Sequence, residues 1–317
     1  MKGFALIVAA VGLAVLANAL PSVSKTYSIA TGSPSGIYYP FGGGLASLWS
    51  EHGEQINMKA EVTTGSVANL LQVHRGESEV GISQGDAFVA ARQGDGRFKE
   101  PLRVSALLAL YPNLVHLLVP AGSDIKSVQD LIGKRVSLGA PGSGNLVTAR
   151  NILATLELPL NELRPYYLTY TETATGLRDG TLDAGFVVGG IGVGVVTELA
   201  LTRDIRLIPF SDEDMARLSE AYPAYTAFDV PVGLYRGVNQ PVQTVSLWNF
   251  LVVRQDMDES LAFELTRLAL THREQLERVT YPARYTTEEN TRTYAWDYLH
   301  PGAKRYFDQH HDEHDER

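Results

Sequence analysis

Hydroxyl residues set beside glycine occur three times in this chain in one arrangement. The first is Thr31-Gly32-Ser33-Pro34-Ser35-Gly36, followed by Ile37-Tyr38-Tyr39-Pro40. The second is Thr63-Thr64-Gly65-Ser66 with Asn69 behind it, and the third is Gly142-Ser143-Gly144. Serine and threonine hydroxyls beside exposed backbone N–H groups are the chemistry of anion binding. A helix start leaves about four N–H groups unpaired and carries partial positive charge, so it stabilises a carboxylate or a phosphate. A single stretch of this kind is accounted for by helix capping alone. Three of them in an α/β chain ask for more, because strand ends in such folds line up along one edge.

Each stretch falls where a strand gives way to a helix. Residues 25–31 read as a strand, with Tyr27 and Ile29 alternating with polar neighbours, and residues 41–52 read as the helix after the turn. Gly42, Gly43 and Gly44 weaken that helix by roughly 1 kcal/mol each against alanine. Close approach of a ligand or backbone would explain them, and so would close helix–sheet packing. Residues 135–139 read as a short strand and 146–156 as a helix. A further apolar strand ends in Gln84-Gly85-Asp86, where Asp86 suits an N-cap as well as a ligand. Residues 183–190 repeat that pattern with glycines in place of the polar groups, and each of the two follows a helix that ends in a glycine turn. The parallel between residues 70–86 and 173–190 suggests two lobes built alike.

The formal net charge is −9 over 317 residues, with no basic stripe, which argues against a nucleic-acid partner. Cysteine is absent, so disulfides, thiolate metal sites and a lipid-modified cysteine are excluded. Met1 and Lys2, the apolar run 4–16 and Ala17-Asn18-Ala19 form a secretory leader pattern. The run is shorter than the ~20 residues a membrane span needs. Residues 1–19 are thus expected to be removed, leaving a soluble, monomeric, periplasmic protein. An uncleaved membrane anchor is the other reading of that segment.

Catalytic signatures fail one by one. Pro34 stands where a nucleophile elbow wants serine. Gly133-Lys134 lacks the earlier glycine of a P-loop, and Val147 and Val195 break the two dinucleotide-like glycine patterns. His74 and His116 stand alone, and the tail from His310 to Arg317 has the composition of a solvated, frayed end. No enzyme activity, metal or cofactor is expected.

The residues Thr31-Gly32, Gly36-Ile37-Tyr38-Tyr39-Pro40-Phe41-Gly42-Gly43, Thr64-Gly65-Ser66-Val67-Ala68-Asn69 and Gln84-Gly85-Asp86-Ala87 resemble the TAXI family. These are the solute-binding proteins of tripartite ATP-independent periplasmic (TRAP) transporters. Leu110-Tyr111-Pro112, Val115-His116-Leu117, the stretch 131–144 and Leu299-His300-Pro301-Gly302-Ala303 continue the resemblance in order along the chain. It implies an α/β, two-lobed type II periplasmic-binding-protein fold with ligand held between the lobes and closure by hinge motion. The crossings would fall near 111–119 and 231–248, giving lobe one as 20–113 plus 236–317 and lobe two as 114–235.

The same resemblance implies capture of a small organic acid or acidic amino acid, such as glutamate or 2-oxoglutarate, for TRAP membrane subunits. Presentation of ligand to a membrane sensor is the alternative use of the same clamp. Carried over by position, the ligand wall would hold Thr31, Gly32, Ile37, Tyr38, Thr64, Gly65, Ser66, Asn69, Gln84, Asp86, Ser143 and Gly144. Tyr38 would cover the carbon chain with its ring and reach a polar end with its hydroxyl. Gly85, the run 189–194 and Ser33-Pro34-Ser35 depart from the family pattern, which leaves the particular acid open. Glu172 suits a ligand amino group or a helix cap, with the cap favoured.

Overall fold

The computed structural model describes residues 25–315, with side chains through 309; the expected leader lies outside the described residues. The chain begins β1 (Lys25–Ala30), α1 (Tyr38–His52), β2 (Ile56–Glu61), α2 (Ser66–Arg75), β3 (Val80–Gln84) and α3 (Gly85–Gln93). Then comes β4 (Val104–Pro120), whose 17 residues are buried along nearly their whole length. At roughly 3.3 Å per residue such a strand runs about 55 Å, enough to pass from one sheet through to another.

A second set of elements follows: β5 (Arg135–Ser137), α4 (Gly144–Thr155), β6 (Arg164–Tyr166), α5 (Tyr170–Asp179), β7 (Ala184–Gly190), α6 (Gly194–Thr202) and β8 (Ile205–Leu207). Next come α7 (Asp212–Ala221), β9 (Thr226–Val230) and the second long strand, β10 (Val242–Arg254). The chain ends in α8 (Glu259–Thr271), α9 (Arg273–Val279), α10 (Glu288–Tyr294) and α11 (Pro301–Asp315). The tail expected to fray is helical in its backbone through Asp315. No helix among the described residues is long and apolar enough to cross a membrane.

The sheet runs β2-β1-β3-β10-β4-β7-β5-β6. On one side β1 pairs in parallel with β2 and β3, and β10 joins β3 antiparallel. On the other, β5 pairs in parallel with β6 and β7, and β4 joins β7 antiparallel. Each half therefore has its first strand between its second and third, with a long crossing strand beside the third. The sequence parallel between 70–86 and 173–190 has this topology as its basis. Both α2 and α5 end at a left-handed glycine, Gly76 and Gly180, which closes the turn into the third strand.

Buried side chains separate at the crossings. Tyr111 on β4 and Phe250 on β10 belong to one core, which includes Phe41, Trp49 and Phe307. Val115 on β4 and Leu247 on β10 belong to a second, with Val136, Ile152 and Phe186. Leu114, Val196 and Tyr235 lie in a third cluster beside the second. Val238, Val245 and Leu247 pack with these latter clusters. The reason is β10 itself, which stays paired to β9 through Ser246 before it reaches β3 at Asn249.

The three glycines in α1 answer to packing. A methyl on Gly42 would come within 2.3 Å of Thr31 Cγ2, and one on Gly44 within 2.6 Å of Leu276 Cδ1. Gly43 faces nothing within 4 Å. Close packing accounts for the other two, against the end of β1 at Gly42 and against α9 at Gly44, and no ligand is needed there.

Candidate functional site

Five helices begin around one enclosed space between the two cores. The caps Ile37 of α1, Gly65 of α2, Gln84 of α3, Ser143 of α4 and Thr169 of α5 all line it. The cavity measures about 120 Å³, against the ~10–15 Å³ that a single water needs. It therefore has room for an organic molecule. Tyr38, Tyr111, Leu168, Tyr170 and Val188 supply apolar surface, and among the described residues no charged side chain is in its lining.

The halves are shut on each other. The Ala68 N–H donates to the Gly142 carbonyl across the gap at 3.2 Å. A methyl on Gly144 would lie 1.8 Å from Gln84 Oε1 and 2.5 Å from Ser66 Oγ. A methyl on Gly190 would lie 2.6 Å from Ile37 Cδ1 and 3.0 Å from the Tyr111 ring. The glycine that ends β7 thus accepts Ile37 from the opposite half. Gly85 faces the Trp248 carbonyl and the Phe250 ring, so the hydroxyl missing there would have pointed at β10 and not into the cavity.

Nine of the twelve expected ligand residues line this space: Gly32, Ile37, Tyr38, Thr64, Gly65, Ser66, Gln84, Ser143 and Gly144. Several of their polar atoms, however, are occupied. The Gln84 N–H donates to Ser66 Oγ at 3.1 Å. Tyr38 donates its single hydroxyl proton to Asn249 Oδ1 at 2.6 Å, so the Ser66 hydroxyl, 3.2 Å away, donates to Tyr38. The Ser143 hydroxyl donates to the Ala140 carbonyl and caps α4 by accepting from the Leu146 N–H. Tyr38 therefore offers its ring to the cavity, while its hydroxyl proton is held in the protein, contrary to the expected reach toward a ligand. Burial pushes the Tyr38 phenol well above its ordinary pKa, which keeps the chain of donors intact.

Thr31, Asn69 and Asp86 do not line the cavity, and each has a partner that explains it. The Thr31 hydroxyl donates to the Glu61 carbonyl at 2.6 Å. Asn69 Nδ2 donates to the carbonyls of Thr31 and Ile82, bracing the ends of β1 and β3. Asp86 stands inside α3 rather than at its cap, which is Gln84. Its Oδ2 accepts from Thr148 Oγ1 of α4 and from the Tyr225 hydroxyl, both at 2.6 Å. Burial raises the Asp86 pKa, while the Thr148 and Tyr225 donors oppose that rise. Glu172 caps α5, its Oε2 accepting from the Thr169 N–H at 2.8 Å, and those bonds lower its pKa.

Sequence reasoning missed Tyr111, Asn113, Asn145 and Tyr170 among the lining residues. Asn145 is the counterpart of Asn69: its Nδ2 donates to the Leu138 and Phe186 carbonyls, and its Oδ1 accepts from the Val188 N–H. Tyr170 donates to the Val188 carbonyl at 2.6 Å. A signal for Asn113 was present, because a buried amide in the apolar run of β4 requires a partner.

Among solved structures, the chain is similar to a putative L-cystine ABC transporter protein from Listeria monocytogenes. The two share 14% identity and a TM-score of 0.52, over 83% of this chain and 98% of that one. It is similar also to the binding-protein component of an ABC phosphonate transporter from Pseudomonas aeruginosa, at 10% identity and a TM-score of 0.52. There the match covers 83% of this chain and 80% of the other. At such identities the likeness is one of fold, that of the two-lobed periplasmic binding proteins. Over residues 29–310 the sequence matches the model described as the NMT1-like family, and the chain belongs to that family.

Proposed function

We propose that the chain is an exported solute-binding protein that encloses a small organic acid and delivers it to a membrane transporter. The observation that carries this reading is the cavity: five helix starts, hydroxyls and amides meet in an enclosed space between two separately packed halves. Such a space stabilises an anion with backbone dipoles and covers its carbon chain with rings. Its ligand wall comprises the nine expected residues that line it, joined by Tyr111 and Asn113. Lobe one takes residues up to Pro112 and from Asn249, and lobe two the residues between. The division rests on the change of core partners along β4 and β10.

A TRAP-type transporter is the proposed partner, on the strength of the TAXI-like motifs spread along the sequence. Export rests on the leader pattern in residues 1–19. Two measurements test these parts separately. A thermal-shift series of dicarboxylates, hydroxy acids, oxo acids and acidic amino acids should contain at least one that raises the melting temperature. A ligand at 100-fold its Kd adds about 2.7 kcal/mol. If none of these acids shifts the transition, the cargo reading is wrong. Uptake into vesicles carrying the membrane partner should follow a sodium gradient; uptake driven by ATP hydrolysis would replace the TRAP assignment by an ABC one.

A further inference from the structure

Three buried polar atoms on cavity-lining residues have no hydrogen-bond partner among the described residues: Gln84 Oε1, the Tyr111 hydroxyl and Asn113 Oδ1. Unpaired polar groups are strongly disfavoured in a folded interior. Three of them at one enclosed space point to a molecule that completes them.

The orientation of Asn113 is set by its neighbours. Asn249 Nδ2 donates to the Tyr111 carbonyl at 2.9 Å. That leaves Asn249 Oδ1 to accept from the Tyr38 hydroxyl and from Asn113 Nδ2, the latter at 3.0 Å. Turning Asn249 over would set its oxygen against the Tyr111 carbonyl. Turning Asn113 over would set two amide oxygens together. Asn113 Oδ1 is therefore the free end, and it can only accept. Tyr111 lies two residues earlier on β4, and both residues line the cavity. Its phenol is held in the protonated form by burial, and it is available as a donor.

The ligand must then donate to Asn113 and accept from Tyr111. Charge decides between the available donors. An ammonium group would sit among helix N-termini, with their partial positive charge, and would find no carboxylate in the lining. Asp86 is turned away to Thr148 and Tyr225. A hydroxyl donates without carrying charge, and a carboxylate elsewhere on the same molecule suits the helix starts. We infer that the cavity selects a hydroxy acid, with the ligand hydroxyl donating to Asn113 Oδ1 and Tyr111 donating to the ligand. The inference rests on the reading of this cavity as the organic-acid site.

Titration calorimetry with matched acids tests it. Malate, oxaloacetate and aspartate form one set, and 2-hydroxyglutarate, 2-oxoglutarate and glutamate form another. In at least one set the hydroxy member should bind about 10- to 100-fold more tightly than the oxo and amino members, as expected when a buried acceptor is left unmet. Asn113→Leu should bring the hydroxy and oxo members together. Asn113→Asp, which supplies a carboxylate at the same place, should raise the amino member relative to the other two. An oxo or amino member that binds the unaltered protein as tightly as its hydroxy counterpart overturns the inference and leaves the organic-acid reading standing. A preference that survives in both Asn113 variants also overturns it. Failure of all six acids to bind removes both.

Discussion

The contact between the two halves has two parts, built on the same pair of helices and opposite in character. At the first turn, Gln84 capping α3 and Gly144 opening α4 face the cavity. Beside them Asp86, two residues after Gln84, and Thr148, one turn after Gly144, face each other, with Tyr225 as a third partner. Polar atoms at the cavity are left unpaired, while those of the Asp86 clasp are satisfied. Asp86 Oδ1 accepts from the Ala87 N–H, Oδ2 accepts two hydroxyls, and Tyr225 accepts from Asn151 Nδ2. On the proposed solute-binding reading, one part of the contact forms without ligand and the other is completed by it. The clasp would then set how often the halves close, and the cavity what they close on. Weakening the clasp raises the apparent Kd of every ligand by one factor, because a binding-competent state becomes rarer. Altering the cavity changes ligands relative to one another.

The most severe break of the cavity is Gly144→Val. Its Cβ would stand 1.8 Å from Gln84 Oε1 and 2.5 Å from Ser66 Oγ across the contact, so the halves shut only if these two cavity-lining side chains are displaced. Calorimetry should show affinity for the bound acid falling by at least ~100-fold, or about 2.7 kcal/mol. Thermal melting without ligand should change little, since glycine is not needed by α4 itself. Retained affinity would mean that the ligand binds elsewhere.

The clasp is broken by Asp86→Ala. Two buried hydroxyls lose their acceptor, which costs roughly 2 kcal/mol of closed-state stability. A distance probe across the cleft should report a smaller closed fraction without ligand, and all ligands should weaken together by about 30-fold. A loss confined to one ligand class would place Asp86 among the selecting groups.

Helix starts were legible in the sequence because capping is local. Gly65-Ser66 and Ser143-Gly144 needed only their own neighbours to be read, and all line the cavity; Gln84, which caps α3 where Asp86 was expected to, entered through the family resemblance. Thr31, Asn69 and Asp86 have the same chemistry but serve the frame, because partners distant in sequence claim them: Glu61, Ile82, Thr148 and Tyr225. Asn113 was missed for the converse reason. Its place in a mostly apolar strand signals a buried partner, but the Asn249 that orients it is 136 positions away. The parallel halves were visible in residues 70–86 and 173–190. The end of the return crossing is hard to read from sequence, since β10 carries apolar residues of both cores within one strand.

A pH series sharpens the same contrast with a group remote from the selecting atoms. His116 on β4 is neutral, with Nδ1 donating to the Val187 carbonyl and Nε2 accepting from the Tyr235 hydroxyl. Burial pulls its pKa from 6.5 down to about 4. The unfolded chain therefore takes up this proton first, and the stability that His116 contributes above pH 6.5 is lost as pH falls toward 4. The slope from this one group reaches about 1.4 kcal/mol per pH unit. Asp86 tilts the other way: its folded pKa is raised, so its contribution is present at low pH and lost as pH rises through that value. Denaturant melts of His116→Gln should lose one proton of dependence between pH 6.5 and 4. An unchanged slope would show that His116 already titrates normally in the folded protein.

Tyr225→Phe makes the smallest cut and the most discriminating one. It removes one O–H donor from Asp86 Oδ2 and one acceptor from Asn151, while the Thr148 bond at 2.6 Å survives. The expected cost to closure is about 1 kcal/mol, or roughly fivefold in the apparent Kd. Tyr225 is absent from the cavity lining, so hydroxy, oxo and amino acids should weaken by the same factor, and the ratios among them should hold. A changed ratio would mean that Asp86, freed of one donor, acts on the ligand through the first turn of α3. The clasp and the cavity would then be one coupled site, and the division of labour between them would fail at the residue pair Gln84 and Asp86.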